Sequence, residues 1–312
     1  MRILLLATDY SGKSGGISQT VHDLLLALAN HPAMDEIVVL PRRSVEPADS
    51  FHSSVRFLNA RQNKKLYALS ALKTALTGRR FDLVICAHLY MASLAALLSR
   101  LCRVPYWLHL YGIEAWQCPK EPLRNAVEKA RFFTAISRCT RERFLSWANV
   151  PPHRVKLLPP VLHSEFSEGK KPENLLKKYN LEGKKVLLTV SRMSSEERYK
   201  GHDRVIRLLP KLLLRYAIQY VIAGEGDDRP RLESLTRELS VRNSVTFIER
   251  VSAAELPSIY RIADVFVMPS TGEGFGIVFL EAAASGLPVI GGSKDGSMDA
   301  LLDGAIGRPV DP

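Results

Sequence analysis

The stretch Val265-Phe-Val-Met-Pro-Ser-Thr-Gly-Glu-Gly-Phe-Gly-Ile-Val-Phe-Leu-Glu281 reads as a strand, a loop and a helix in direct succession. Val265–Met268 is a short, continuous apolar run, the pattern of a strand covered on both faces. Gly272, Gly274 and Gly276 follow, and glycine frees the backbone for a tight turn or a close approach. A helix is predicted over 276–285. Strand, loop and helix together make one βα unit, the element from which parallel sheets are built.

Units of the same kind extend in both directions. In the second half, strands are predicted at Val186–Ser191, Gln219–Ala223, Val245–Ile248 and Val289–Ile290. Helices fall between them, at about 202–216, 229–240 and 253–262. In the first half the chain opens with a strand, Arg2–Ala7, and a loop, Thr8–Gly15. A helix over Gly16–Asn30 follows, with Ile17, Val21, Leu24, Leu25 and Leu28 at helical spacing. Further strands are predicted at Ile37–Leu40, Leu83–Ala87, Tyr106–His109, Phe132–Ile136 and Val155–Leu158. Leu66, Leu69, Leu72 and Leu76 share one face of an intervening helix. Pro159-Pro160 ends the first series, and the polar, lysine-rich segment Ser164–Lys185 reads as a linker with a short helix. The expectation is therefore two α/β halves, 1–165 and 166–312, each a doubly wound parallel sheet. Ligands of such sheets bind beyond the carboxyl ends of the strands, so two sheets imply a cleft between them.

Bulk properties narrow the function classes. With 312 residues, 46% of them hydrophobic, the chain can bury two ordinary cores. No apolar run approaches the roughly 20 residues needed to cross a bilayer. Ile3–Ala7 is shorter than a secretory core segment, so a cytoplasmic protein is expected. Cys86, Cys102, Cys118 and Cys139 form no CxxC pair and read as reduced thiols. The net charge of +11 is lopsided: residues 1–165 hold 22 Lys and Arg against 12 Asp and Glu. That excess fits either an anionic partner, such as lipid headgroups or a phosphate-bearing acceptor, or plain solvated charge. The basic residues follow no nucleic-acid-binding pattern, so a nucleic-acid partner is not expected.

The strand ends carry the candidate chemistry. Gly15 and Gly16 precede a helix whose first N–H groups suit a phosphate, although a tight turn alone would need the same glycines. His109 ends a strand before Gly112 and is expected to face the cleft as a hydrogen-bond donor, or else to be structural. Arg192 and Lys200 flank a polar loop and make either a diphosphate clamp or two ordinary surface charges. Gly224, in Gly224-Glu-Gly226, fits close passage beside a nucleotide, and Asp227-Asp228 reads as solvent-facing. Glu273 can accept bonds from sugar hydroxyls, and the N–H groups of Gly274, Phe275 and Gly276 can meet phosphates. Glu281 interrupts an apolar helix. An unpaired buried carboxylate is costly, so a bound ribose diol is the expected partner.

In this order the segments resemble the GT-B fold glycosyltransferases of family 4, the retaining group 1 enzymes, over essentially the whole chain. The most specific match is the pair of glutamates with seven residues between them, Glu273 and Glu281, followed by Ala284-Ser-Gly-Leu-Pro-Val-Ile290. Gly15-Gly16, His109, Ser191-Arg192, Lys200-Gly201, Gly224-Glu-Gly226 and Leu256–Asp264 support it. The resemblance implies a UDP- or GDP-sugar donor and a glycan or lipid-linked acceptor in cell-surface polysaccharide or glycolipid synthesis. It implies Arg192 and Lys200 on the leaving diphosphate, Glu273 on the sugar and Glu281 on the ribose. His109 would sit by the anomeric carbon, Gly16 by the diphosphate and Val251 by the base. No metal or other cofactor is implied, and the basic half would work at the inner face of the membrane. A sugar-nucleotide epimerase and a non-catalytic sugar-nucleotide-binding subunit are the alternatives. Two departures stand out. Glu249-Arg250 occupies a place where the family has a glycine. Family members also continue past the position of Pro312 with helices that cross back to the first domain, so those crossover helices are expected to be missing and docking of the halves weakened.

Overall fold

The computed structural model describes residues 1–11, 15–43 and 51–312. They form two compact units, Met1–Val161 and Leu162–Pro312. The division falls four residues before the expected 165/166 boundary, and His163 and Glu165, beyond it, act electrostatically on Glu281 of the second unit.

Unit 1 is a seven-stranded parallel sheet in the order β3-β2-β1-β4-β5-β6-β7. Its strands are β1 (Arg2–Ala7), β2 (Glu36–Pro41), β3 (Val55–Phe57), β4 (Leu83–Cys86), β5 (Tyr106–Leu110), β6 (Phe132–Ala135) and β7 (Val155–Leu157). Every residue of β1 is buried, as a central strand covered on both faces requires. Unit 2 is a six-stranded parallel sheet in the order β10-β9-β8-β11-β12-β13. It comprises β8 (Lys185–Val190), β9 (Ile218–Ala223), β10 (Val245–Ile248), β11 (Val265–Met268), β12 (Val289–Gly292) and β13 (Arg308–Val310). The strand order reverses between β1 and β4 in unit 1, and between β8 and β11 in unit 2. Those are the topological switch points at which such sheets bind ligands.

Two strands escape the sequence reading, β3 and β13. Both are three-residue sheet edges without a buried residue, so neither leaves an apolar run. Pro309 within β13 is tolerated because an edge strand need not donate on its outer side.

The helix Lys64–Leu76 carries the shared leucine face. Three leucines of its stripe face outward, Leu66, Leu69 and Leu76 being 54%, 61% and 60% exposed, while Leu72 packs against the core. The buried residues are Tyr67 and Ala71. Tyr67 donates from its hydroxyl to the Leu40 carbonyl at 2.9 Å, which turns that side of the helix onto β2. Among the described residues, no helix is long and apolar enough to cross a membrane. None of the four cysteines is in a disulfide.

Candidate functional site

The site in unit 2 is assembled where β8 and β11 end, at its switch point. The loop after β9 closes onto the loop after β8. Gly224 has φ +147°, and a Cβ there would lie 2.1 Å from the Ser191 carbonyl oxygen. This glycine lets the two loops of unit 2 pack closely against each other. Ser191 Oγ lies 2.8 Å from His202 Nε2, and burial holds the His202 pKa down to about 4. The loop carrying Lys200 is in turn tied to the glycine loop after β11: Thr271 N donates to the Tyr199 carbonyl at 2.9 Å.

These ties bring Lys200 and Glu273 together. Lys200 Nζ sits 3.4 Å from Glu273 Oε1 and 3.5 Å from Glu197 Oε2. All three side chains are largely buried. Arg192 pairs with the other oxygen of Glu197 and is itself 69% exposed. The result is a neutral quartet of two cations and two carboxylates. Glu197 Oε2 and Glu273 Oε1 accept no hydrogen bond among the described residues. Those two oxygens are compensated by the Lys200 ammonium at ion-pair distance, and a diphosphate could take that cation over only by offering at least as much charge. Glu273 N donates to Asp295 Oδ2 at 2.6 Å, while Asp295 Oδ1 accepts from Ser297 N at 2.9 Å. A buried aspartate after β12 thus braces the loop from below. Gly276, at φ +87°, starts the helix Ile277–Ala284 in a backbone region that favours glycine. Phe275 is buried beside it, and Gly274 completes the loop.

Glu281 corrects an expectation. Its carboxylate has an internal partner, the Tyr260 hydroxyl, which donates at 2.6 Å. Burial raises the Glu281 pKa, and the Tyr260 bond opposes that rise. Two carboxylate oxygens offer about four acceptor positions, so one tyrosine leaves room for a diol. No hydrogen bond or ion pair among the described residues joins Glu281 to the Lys200 quartet. Val251 borders a cleft of about 220 Å³ with Lys178, Glu249, Arg250, Glu255 and Ile259. Arg250 holds φ +52°, a conformation natural to the glycine that the family carries nearby. Asp228 is buried and paired with Arg231 and Arg198, not solvent-facing. Its neighbour Asp227 is exposed and accepts from Ser195 N at 2.9 Å.

In unit 1, His109 is fully buried and does not face open solvent. β5 runs one residue beyond it, to Leu110, so its side chain packs on the sheet face. Burial pushes its pKa down to about 3, which keeps the ring neutral. Its Nδ1 lies 2.5 Å from Thr134 Oγ1, and its Nε2 has no hydrogen-bond partner among the described residues. Gly15 and Gly16 open the helix Gly16–Ala29, and a Cβ on either would meet no described atom within 4 Å. Residues 12–14 of that expected loop lie outside the described residues. Among the described residues, no group of three or more His, Cys, Asp or Glu could hold a metal ion.

The sequence reading missed Glu197, Tyr260 and Asp295. Asp295 follows a strand end and was open to the same rule as the others. Glu197 lies in the charged run Glu196-Glu-Arg198 and reads as solvated. Tyr260 is one apolar position of an ordinary helix.

Comparison with known proteins fits this geometry. Residues 14–166 match the family model Glycosyltransferase Family 4, and residues 171–312 match Glycosyl transferases group 1. An uncharacterised glycosyltransferase of Methanocaldococcus jannaschii is 29% identical over 319 residues, covering 95% of this chain and 78% of its own. A GDP-mannose-dependent alpha-(1-6)-phosphatidylinositol monomannoside mannosyltransferase of Mycobacterium tuberculosis is 28% identical, covering 99% of this chain and 85% of its own. The crystal structure of Anabaena HepE in complex with UDP-glucose superposes with a TM-score of 0.81 at 21% identity, covering 100% of this chain and 86% of the other.

Proposed function

This chain belongs to the group 1 glycosyltransferases of family 4, and on that premise we propose that unit 2 binds a UDP- or GDP-linked sugar. The glycosyl group then passes, with retained anomeric configuration, to a glycan or lipid-linked acceptor. One observation carries the donor: the quartet of Arg192, Glu197, Lys200 and Glu273 at the switch point between β8 and β11. A diphosphate entering there takes the two cations over from the carboxylates. Fixed positive charge at a leaving diphosphate is the kind of electrostatic term that dominates many enzymes. Glu273, released from Lys200, accepts from the sugar hydroxyls. Glu281, with Tyr260 on one acceptor position, takes the ribose diol. Val251 meets the base, and the N–H groups of Gly274, Phe275 and Gly276 support the donor. In unit 1, Gly15 and Gly16 leave helix N–H groups open to an anion, and neutral His109 serves a substrate oxygen. Arg192 and Lys200 supply the positive charge that a metal would otherwise bring, so turnover should survive a chelator.

Both donor bases are kept because the mycobacterial relative is named for GDP-mannose and HepE was crystallised with UDP-glucose. The acceptor side rests on the outward leucines of Lys64–Leu76, interleaved with Lys64, Lys65 and Lys73 and followed by Arg79 and Arg80. A basic, partly apolar helix face suits an anionic membrane surface, here the cytoplasmic leaflet where a lipid-linked acceptor would lie. The test is calorimetric titration with UDP, GDP, ADP and their sugar conjugates in the presence of a chelator. Binding of one base class, lost in Lys200→Ala, is expected. Equal indifference of both proteins to every nucleotide would overturn the donor assignment.

A further inference from the structure

Three polar side chains line up on one face of the first sheet. Trp107 and His109 are two residues apart on β5 and therefore project to the same side. Thr134 on β6 is the register partner of His109. The other face carries Leu108, Leu110, Phe133 and Ala135, all within the hydrophobic core. The polar trio is thus held by strand register.

The donors and acceptors in this trio can be counted. An indole N–H only donates, and Trp107 Nε1 gives its hydrogen to Thr134 Oγ1 at 2.7 Å. A hydroxyl has a single hydrogen of its own, and accepting a bond makes it a better donor. His109 Nδ1 stands 2.5 Å from that hydroxyl. The ring is fully buried and neutral, so one of its nitrogens must be an acceptor. The Tyr111 ring meets the imidazole edge-on, with centroids 4.4 Å apart and an interplanar angle of 80°, which fixes its plane.

We propose that Thr134 is a positioning residue for glycosyl transfer. It accepts from Trp107, donates to His109 Nδ1 and so locks the buried imidazole as the Nε2–H tautomer. His109 then offers substrate a hydrogen-bond donor and never an acceptor. No proton is transferred: the N–H polarises an oxygen, and the ring is neutral before and after. What Nε2 meets rests on the donor-binding reading above, whereas the tautomer itself does not.

The experiment separates the two. The protein, labelled with ¹⁵N-histidine and free of nucleotide, is examined by long-range ¹H–¹⁵N NMR, with the His109 signals assigned by their loss in His109→Gln. A protonated Nε2 and an unprotonated Nδ1 are expected in the wild type and in Thr134→Ser. In Thr134→Val the pattern should become mixed or reversed, with kcat lowered roughly tenfold or more and KM little changed. A wild-type ring protonated at Nδ1 would overturn the inference. So would a Thr134→Val protein that keeps both the tautomer and kcat. If no sugar nucleotide is turned over by any variant, the donor reading fails while the NMR result still decides the tautomer.

Discussion

The two sheets share one architecture and treat polar groups at their carboxyl ends in opposite ways. Unit 2 gathers charge. Arg192, Lys200, Glu197 and Glu273 compensate one another in a mostly buried quartet. At the end of β5, unit 1 instead places a neutral group. His109 is buried, neutral and fed by a chain of hydrogen bonds from Trp107 through Thr134. The difference follows from desolvation. A buried ion is tolerated only with a counter-ion, so a site meant for an anion can store its cations on carboxylates that the anion later displaces. A site meant for an uncharged oxygen needs no such store, only a fixed N–H. The same topology thus holds a compensated ion cluster at one switch point and a neutral, hydrogen-bonded histidine at the end of β5.

The largest effect should come from breaking the charged side. Lys200→Met leaves Glu197 and Glu273 facing each other without their shared cation, and removes a charge from the leaving group. Steady-state kinetics should give a loss of roughly 10²- to 10³-fold in kcat/KM. A change smaller than fivefold would mean that the quartet is only a structural ion pair.

A milder, pH-dependent effect should mark the neutral side. Burial depresses His109 to about 3 and His88 to about 4, against about 6.5 in the unfolded chain. Between pH 6.5 and 4 the unfolded state therefore binds protons that the folded state refuses, and unit 1 loses stability as pH falls. Each histidine contributes about 1 kcal/mol per pH unit. Trp107, Trp116 and Trp147 all lie in unit 1, so the urea midpoint read by tryptophan fluorescence reports on that unit. His109→Leu should flatten its pH slope, and an unchanged slope would show that His109 titrates normally. Glu281 in unit 2 runs the other way. Its pKa is raised by burial, so protonation relieves a cost there instead of adding one.

The smallest effect concerns the outward leucines. Leu69→Glu should weaken flotation with phosphatidylglycerol vesicles by about tenfold, through lost apolar contact and added like charge. Its thermal midpoint should stay near that of the wild type, because Leu69 is exposed. Equal binding by both proteins would detach the basic half from any membrane role.

Much of the fold was legible because its central strands are continuous apolar runs. β1, β4, β5, β9 and β11 could be read within a residue or two. β3 and β13 could not, since an edge strand of three half-exposed residues carries no periodic signal. Helical spacing found the stripe of Leu66, Leu69 and Leu76 but not its direction, which the Tyr67 bond to Leu40 decides. The positions Arg192, Lys200, Glu273 and Glu281 were readable as polar residues at strand ends or on an apolar helix. Of their partners, Asp295 could have been found by the same strand-end rule, whereas Glu197 and Tyr260 could not, since one lies in a charged run and the other on a neighbouring helix.

The sequence by itself determined two parallel α/β halves, the excess charge of the first and the strand ends where polar groups gather. Those properties follow from local composition and period, which a linear pattern records. Only the tertiary structure decided that Lys200 is shared by two carboxylates, that Glu281 already has a donor, and that His109 is sealed and linked to Thr134. Each of those depends on register and on which loops meet in space, and pairing energies between residues distant in the chain leave no trace in local spacing.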